Sequence, residues 1–479
     1  MFLKITINKI RIRKTTSQYN FLNQKFSIMK SLAALSKKWT LFIFILIFIF
    51  SACQKEKTVQ EAVTETPTSL ATSAKKVDKQ SSSVATDWYR LQFRIMLERN
   101  SAFNGIYFSY IGIGLYEAIR PGIKDAVSFS GKLNSMPEMP EPENNMGYSW
   151  PLSANAALAS MVRSFFSGLT AANNASIDSL EAAYNEKLQP AQSSEVFARS
   201  QAYGRSIAKA MHDWFLTDNM NPTNTGYVLP SPFPGSWQPA PGNPPIPVNP
   251  FVQFATPYIL ADATAISNPF PLTYSETPGT PFYNMEKQVY DQSIANTTEQ
   301  KAIAMHWLDQ GNGTGYTPPG HDFFVITQAF EQLGLDLPTV AEAYAKAGIA
   351  ERETTIVTFR SKYANFLLRP ATYIRKVFDP NWLPLIPTPP HPEYPAAHAM
   401  VTGTIMQAVA RVIGNDHTVV DHAYDFRGFP TQTYTSIFGV AEQAGISRNY
   451  AGIHYLISIT EGLRMAKIIG DRVGDIQVR

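Results

Sequence analysis

The sequence predicts a mostly α protein, a helical bundle with long loops rich in proline and glycine. Three observations carry that expectation. Apolar residues recur at helical spacing in segment after segment. Strand-like alternation is scarce. Proline, glycine and asparagine crowd into residues 219–281, "NPTNTGYVLPSPFPGSWQPAPGNPPIPVNP" among them, which reads as one long irregular excursion.

The chain begins with a segment of a different kind. Residues 1–53 hold nine Lys or Arg and no acid. Removing those nine from 41 basic residues leaves 32 against 38 acidic ones, a net charge of −6 for the body instead of the overall +3. Nothing in that balance points to nucleic acid. "MKSLAALSKKW" is a basic start with Met29 as an alternative initiator, and "TLFIFILIFIF" is an apolar run of eleven residues. A spanning helix needs ~20 residues, so this is a targeting segment and not a transmembrane span. "FSAC" follows, and Cys53 is the single cysteine, which excludes an intramolecular disulfide. Small residues ahead of a lone cysteine resemble a bacterial lipobox. The resemblance implies a lipidated Cys53 and a cell-envelope location, with Gln54 favouring the outer membrane; an ordinary secretion signal with an incidental cysteine is the alternative.

Residues 54–87, polar and rich in Ser, Thr and Lys, read as a flexible tether. An N-terminal helical region follows over 88–297. "DWYRLQFRIMLERN" opens it, with Trp88, Leu91, Ile95 and Met96 near helical spacing. Helical patterns recur around 103–119, 152–168, 174–186 and 194–216. Residues 298–479 form the second region, with helices expected near 298–310, 322–333, 339–368, 398–413 and 448–469. At 44% hydrophobic and 16% charged residues, a chain of 479 residues can bury a large core or two domains.

The second region holds the candidate chemistry. "KYANFLLRP" places Lys362 and Arg369 seven residues apart, nearly two helical turns, so one helix would carry both on one face. Such cations ordinarily reach water; buried, they need an anion between them. "TPPHPEYPAAHAMV" sets four prolines ahead of His398 at a helix mouth, a stiff lead-in that would place a histidine accurately. "ISRNYAGIHYL" puts Arg448 six residues before His454, with Ser447 suited to an N-cap. A lone histidine among Ile453, Tyr455 and Leu456 is ordinarily a core residue.

Together these blocks, Lys362-x6-Arg369-Pro370, Pro395-x2-His398 and Ser447-Arg448-x5-His454, resemble the signature of the type 2 phosphatidic acid phosphatase and vanadium-dependent haloperoxidase superfamily. "HWLDQGNGTGYTPPGHDFF" and "AEQAGISRNYAGIHY" are similar to its bacterial haloperoxidase branch. The strong resemblance covers about 302–470, and "IGIGLYEAIRPGI" at 111–123 matches weakly. It implies a bundle of that family's type, vanadate as cofactor, and hydrogen peroxide and halide as substrates, with an organic acceptor where one exists. It implies that Lys362, Arg369 and Arg448 hold the anion's oxygens, that His454 bonds vanadium, and that His398 is the general acid–base. Lys362 then also polarises the bound peroxide. The membrane is met through the lipid anchor alone.

Two positions depart from the family pattern. Its Ser-Gly ahead of the acid–base histidine is Ala396-Ala397 here, which costs a hydroxyl contact of about 0.5–1.5 kcal/mol and keeps the backbone N–H groups. Many members carry an aspartate four residues after the apical histidine, and this chain has Ser458, a weaker partner for the ring. His306 and His321 resemble family positions without an evident chemical step. His391 would line the entrance, and "NDHTVVDH", with Asp416, His417, Asp421 and His422, fits no zinc spacing and reads as a solvated loop. Trp382 and Phe438 are candidate pocket walls, with core packing as the default. Two other functions fit the same residues: an acid phosphatase with His454 as nucleophile, and a non-catalytic anion-binding lipoprotein.

Overall fold

A computed structural model describes residues 79–98, 105–259, 266–310 and 314–479. The targeting segment, Cys53 and most of the tether lie outside the described residues. Thirteen helices are described, and they account for most of the chain, as the sequence predicts. The first, α1 (Ser83–Glu98), starts inside the expected tether, because Val84 and Ala85 already pack into the core beside Trp88 and Tyr89. The next are α2 (Gly105–Ile119), α3 (Trp150–Phe165), α4 (Ala171–Leu188) and α5 (Ser194–Phe215).

After the excursion come α6 (Pro281–Ala295), α7 (Thr298–His306), α8 (Pro318–Gln332), α9 (Leu337–Asn365), α10 (Pro370–Val377) and α11 (Ala397–Ile413). The sequence reading lacks α6, whose buried face is only Phe282, Glu286 and Val289, too thin a stripe to show a period. Strands β1 (Val419–Asp421) and β2 (Gln432–Tyr434) pair antiparallel, Val419 opposite Tyr434. Helices α12 (Ile437–Tyr450) and α13 (Leu456–Gly474) close the chain. The single helix expected over 448–469 is therefore two, with His454 in the loop between them.

α9 is the axis of the molecule, buried along nearly its whole length. α2 lies against it at backbone contact: a Cβ on Gly112 would meet Tyr344 O at 2.5 Å, and one on Gly348 would meet Ser109 Cα at 2.5 Å. Neither glycine can be replaced without separating the helices. One hydrophobic core runs from Val84 to Val478, so the N-terminal and C-terminal regions share an interior. α11 packs between α9 and α13 and brings the C-terminal helices together around the site. Among the described residues no helix is long and apolar enough to cross a membrane.

The excursion is irregular among the described residues, as expected, with a 3₁₀ turn at Val252–Phe254. It lies over the end of α9 and the proline-rich loop before α11. Trp237 N–H donates to Phe366 O (2.7 Å), Leu368 N–H to Gly235 O (2.9 Å) and Val248 N–H to Pro390 O (2.9 Å). Asn243 Nδ2 donates to Thr388 O (2.9 Å). These bonds satisfy main-chain groups that irregular backbone would otherwise bury unpaired.

Candidate active site

Lys362 and Arg369 do not share a helix, as the sequence expected. α9 stops at Asn365, Phe366 takes a left-handed φ of 45°, and its N–H caps Lys362 O. Arg369 is extended (φ −91°, ψ 153°), the conformation a following proline imposes. The two cations meet across this break, and both are fully buried.

Lys362 Nζ donates to Pro392 O (3.0 Å), Glu393 O (2.8 Å) and Pro395 O (2.6 Å). All three ammonium hydrogens are taken, so lysine clamps the proline loop where the sequence expected it on an anion. Arg369 Nε donates to His391 O (2.9 Å), Nη2 to His391 Nδ1 (3.0 Å), and Nη1 to Ile453 O (3.0 Å) and His454 Nε2 (3.0 Å).

That last bond fixes the chemistry of His454. Arginine has only hydrogens to give, so Nε2 carries the lone pair. The proton sits on Nδ1 and is donated to Glu393 Oε1 at 2.6 Å. Glu393 Oε1 also accepts from Tyr455 N–H (3.1 Å). The carboxylate that the sequence finds missing at 458 thus comes from the loop ahead of α11. Glu393 is the single acid between Asp379 and Asp416, a signal open to sequence reasoning that went unused. The Ser458 hydroxyl lies beside the same carboxyl and helps hold its charge.

Arg448 sits in the last turn of α12, not at a helix start, and Ser447 is helix interior; Ser436 caps α12, accepting from Gly439 N–H at 3.0 Å. Arg448 Nε donates to Ser447 Oγ (3.0 Å), and Nη2 to Ala304 O (3.4 Å) and Trp307 O. Its Nη1 has no hydrogen bond among the described residues. The loop to His454 turns at Gly452 (φ 77°), where a Cβ would stand 3.0 Å from the Trp382 ring. Trp382 therefore backs the His454 loop, while Phe438 lies under Lys467, 4.4 Å from the ring centre.

His398 occupies the first turn of α11. Ala396 N–H donates to Ser458 O (3.2 Å), and its methyl packs with Ala399, Ile459 and Leu463. Of the expected Ala396–Ala397 pair, only Ala397 keeps an N–H without a partner among the described residues. Behind His398 stands Asp309, which the sequence reading missed. Asp309 Oδ2 is 3.3 Å from His398 Nε2, an ion-pair distance that falls short of hydrogen-bond geometry, and Oδ1 accepts from His321 Nδ1 (2.9 Å) and Tyr424 OH (2.6 Å). Asp421 Oδ2 meets His321 Nε2 (3.0 Å) and His306 Nε2 (2.7 Å). The expected solvated loop around 416–422 is solvated at His422, which pairs with Asp425, but Asp421 is fully buried because β1 carries it inward. His417 Nε2 donates to Ile413 O (2.8 Å) and takes no part in the site.

The electrostatics are those of a buried cationic pocket. Burial, then the neighbouring Arg369, pushes the Lys362 ammonium well below its usual range, against the pull of Glu393. Burial brings Arg369 and Arg448 each down to about 10. Burial first, then Arg369, Lys362, His391 and Arg448, depresses His454 far below an ordinary histidine. Burial, then Arg448, brings His398 down to about 4 against the pull of Asp309. Burial raises Glu393 to about 7, opposed by Arg369 and Lys362. Lys362, Arg369 and Arg448 thus lie within electrostatic reach of His454, and Arg448 joins them to His398.

Residues 342–478 match the family profile described as the VCPO second helical-bundle domain. Among solved structures, the crystal structure of a bacterial vanadium-dependent iodoperoxidase is similar at 26% identity and a TM-score of 0.72. That match covers 83% of this chain and 97% of the other. A bacterial vanadium-dependent chloroperoxidase shares the fold in its apo form (17% identity, TM-score 0.60, 78% and 92% covered) and its holo form (16%, 0.59, 83% and 94%). No curated protein matches the sequence. The chain has the fold of these bacterial vanadium-dependent haloperoxidases, and the fold and the profile match over 342–478 support a place in their superfamily.

Proposed function

We propose that the chain is a vanadium-dependent haloperoxidase, oxidising halide with hydrogen peroxide to hypohalous acid. One observation carries the proposal. Lys362, Arg369 and Arg448 are buried, and among the described residues none forms a salt bridge with a carboxylate. Buried cations in excess of their counter-charges call for an anion. Guanidinium forks match the oxygens of a tetrahedral oxyanion. The residues therefore fit vanadate, and the likeness to a bacterial iodoperoxidase favours it over phosphate, with iodide the first halide to try.

Vanadate would be held by Arg369, Arg448, the Ala397 N–H and His454 Nε2, with Lys362 adding charge from behind the loop it clamps. Bound vanadate supplies Lewis-acid activation of hydrogen peroxide toward attack by halide. The chain supplies the rest. Glu393 holds the Nδ1 proton of His454 and so keeps Nε2 a lone-pair nitrogen. His398, unprotonated near neutrality, accepts the proton that hydrogen peroxide gives up and later returns it.

The test is triiodide formation by the full-length protein with vanadate, hydrogen peroxide and iodide, repeated with bromide and chloride. Turnover that depends on vanadate and is lost in His454→Ala is expected. No vanadate-dependent turnover with any halide retires the proposal. Phosphomonoester hydrolysis that vanadate inhibits and His454→Ala abolishes would favour the phosphatase, for which a lone-pair Nε2 is equally suited. Lipid attachment at Cys53, at the outer membrane, belongs to the same proposal. Incorporation of labelled palmitate by cells making the wild type, and not by those making Cys53→Ser, is its measurement.

A further inference from the structure

A line of buried titratable side chains continues beyond the site, His398–Asp309–His321–Asp421–His306, with contacts of 3.3, 2.9, 3.0 and 2.7 Å. Four separate stretches supply it: the first turn of α11, the end of α7 with the turn after it, the first turn of α8, and β1. Nothing in the proposed chemistry uses the last three members.

His321 is the unusual one. Each of its ring nitrogens faces a carboxylate oxygen, Nδ1 toward Asp309 and Nε2 toward Asp421. A neutral imidazole has one N–H and one lone pair, and a lone pair aimed at a carboxylate is repelled. Both nitrogens therefore carry hydrogen, and the ring is an imidazolium. Burial opposes the charge, but the two carboxylates outweigh it and raise the ring well above an ordinary histidine. The partners answer in kind. Burial works against Asp309 and Asp421, and His321 with the other histidines drives both far below the usual carboxylate range.

We propose that His321 and Asp421 are positioning residues for His398, acting through Asp309: a permanent imidazolium held between two carboxylates occupies Asp309 Oδ1 and leaves Oδ2 to orient the His398 ring through Nε2. The proposal rests on His398 being the acid–base. Asp309 Oδ2 stands 3.3 Å from Nε2 and favours the neutral tautomer with its proton there, which leaves Nδ1 of His398 as the acceptor. The His321 charge also offsets that of Asp309, so the ring is oriented without becoming a strong base. The charged and titratable groups that act on His398 are Asp309, His321, Arg448 and His391; Tyr424 acts through its bond to Asp309.

His306, His321 and Asp421 are also a candidate metal set. Their contacts of 2.7 and 3.0 Å are hydrogen-bond lengths. Ligands around a zinc with bonds of about 2.0–2.1 Å stand roughly 3.3 Å apart. The separations favour protons over a metal.

The experiment is histidine side-chain ¹⁵N NMR of the full-length protein without vanadate or peroxide, assigned with His321→Gln and His398→Gln. In the wild type, His321 should show both nitrogens protonated from roughly pH 5 to 9, and neutral His398 should carry its proton on Nε2. In Asp421→Asn, His321 should lose a proton within that range, and the His398 midpoint should rise by about one unit as Asp309 loses its neighbouring cation. A singly protonated His321 in the wild type, or an unmoved His398 in Asp421→Asn, overturns the proposal. So does one equivalent of zinc retained through dialysis by the wild type and not by Asp421→Asn. The wild-type spectrum needs no variant, so a variant that fails to fold leaves that criterion standing. Failure of halide oxidation with this spectrum intact would retire the function and not this inference.

Discussion

His454 and His398 are each backed by a buried carboxylate, on different terms. Glu393 meets His454 at 2.6 Å, comes from the proline loop, and stands among the cations. Asp309 stands 3.3 Å from His398 and spends its other oxygen on His321 and Tyr424. The first arrangement fixes one tautomer and offers a lone pair, as a ligand requires. The second stands beside the ring to which the proposed function assigns proton exchange. One polar type, a carboxylate behind a histidine, is thus used for holding on one side and for transfer on the other.

Removing Glu393 should have the largest effect. Glu393→Gln deprives His454 of its charged partner, and vanadate affinity should fall about 10- to 100-fold, read by titration of vanadate against intrinsic fluorescence. Unchanged affinity would mean that the 2.6 Å contact does nothing for Nε2. Asp309→Ala should act on the other histidine alone. Asp309 raises His398 against burial and Arg448, so its removal should move the acidic limb of activity below its expected position of about 4 and leave vanadate affinity within about threefold. A large loss of affinity would erase the distinction between the two carboxylates.

His398 also makes a stability prediction. Its folded pKa of about 4 lies below the ordinary value of 6.5. The unfolded chain therefore binds more protons between those limits, and stability rises with pH across them. The contribution, about 3 kcal/mol at most, is present above pH 6.5 and lost as pH falls through 4. Urea midpoints of the wild type and His398→Ala between pH 4 and 7 measure it, and the variant should show the shallower slope. The smallest effect belongs to Ser458→Ala, a neutral hydroxyl beside Glu393, at about 0.5–1.5 kcal/mol in vanadate binding. A larger loss would shift weight from Glu393 to Ser458.

Much of this was legible in the sequence. The helices α2 to α5, α8, α9 and α11 follow apolar spacing, and the three motif blocks single out Lys362, Arg369, His398, Arg448 and His454. What escaped depends on tertiary placement. The break at Phe366 is set by a left-handed residue that is not glycine, which no propensity would have chosen. α12 carries Gly439, Gly445 and Ser447, so its pattern hid behind helix-weak residues. Asp309 and Asp421 lie 112 residues apart in numbering, and only packing of the turn after α7 against β1 joins them through His321. Glu393 was in plain view, but a family pattern that places the carboxylate elsewhere drew attention to Ser458.

The excursion over the proline loop is attached by main-chain bonds at Gly235, Trp237 and Val248 and by packing of Tyr227 and Trp237 against Tyr363 and Phe366. Between these anchors its side chains carry little of the attachment. Val228 is 83% exposed, and a Cβ on Gly226 would touch nothing. Val228 and Leu229 are accordingly where a peptide tag or a fluorophore can be inserted beside the proline loop while the wiring beneath keeps its register.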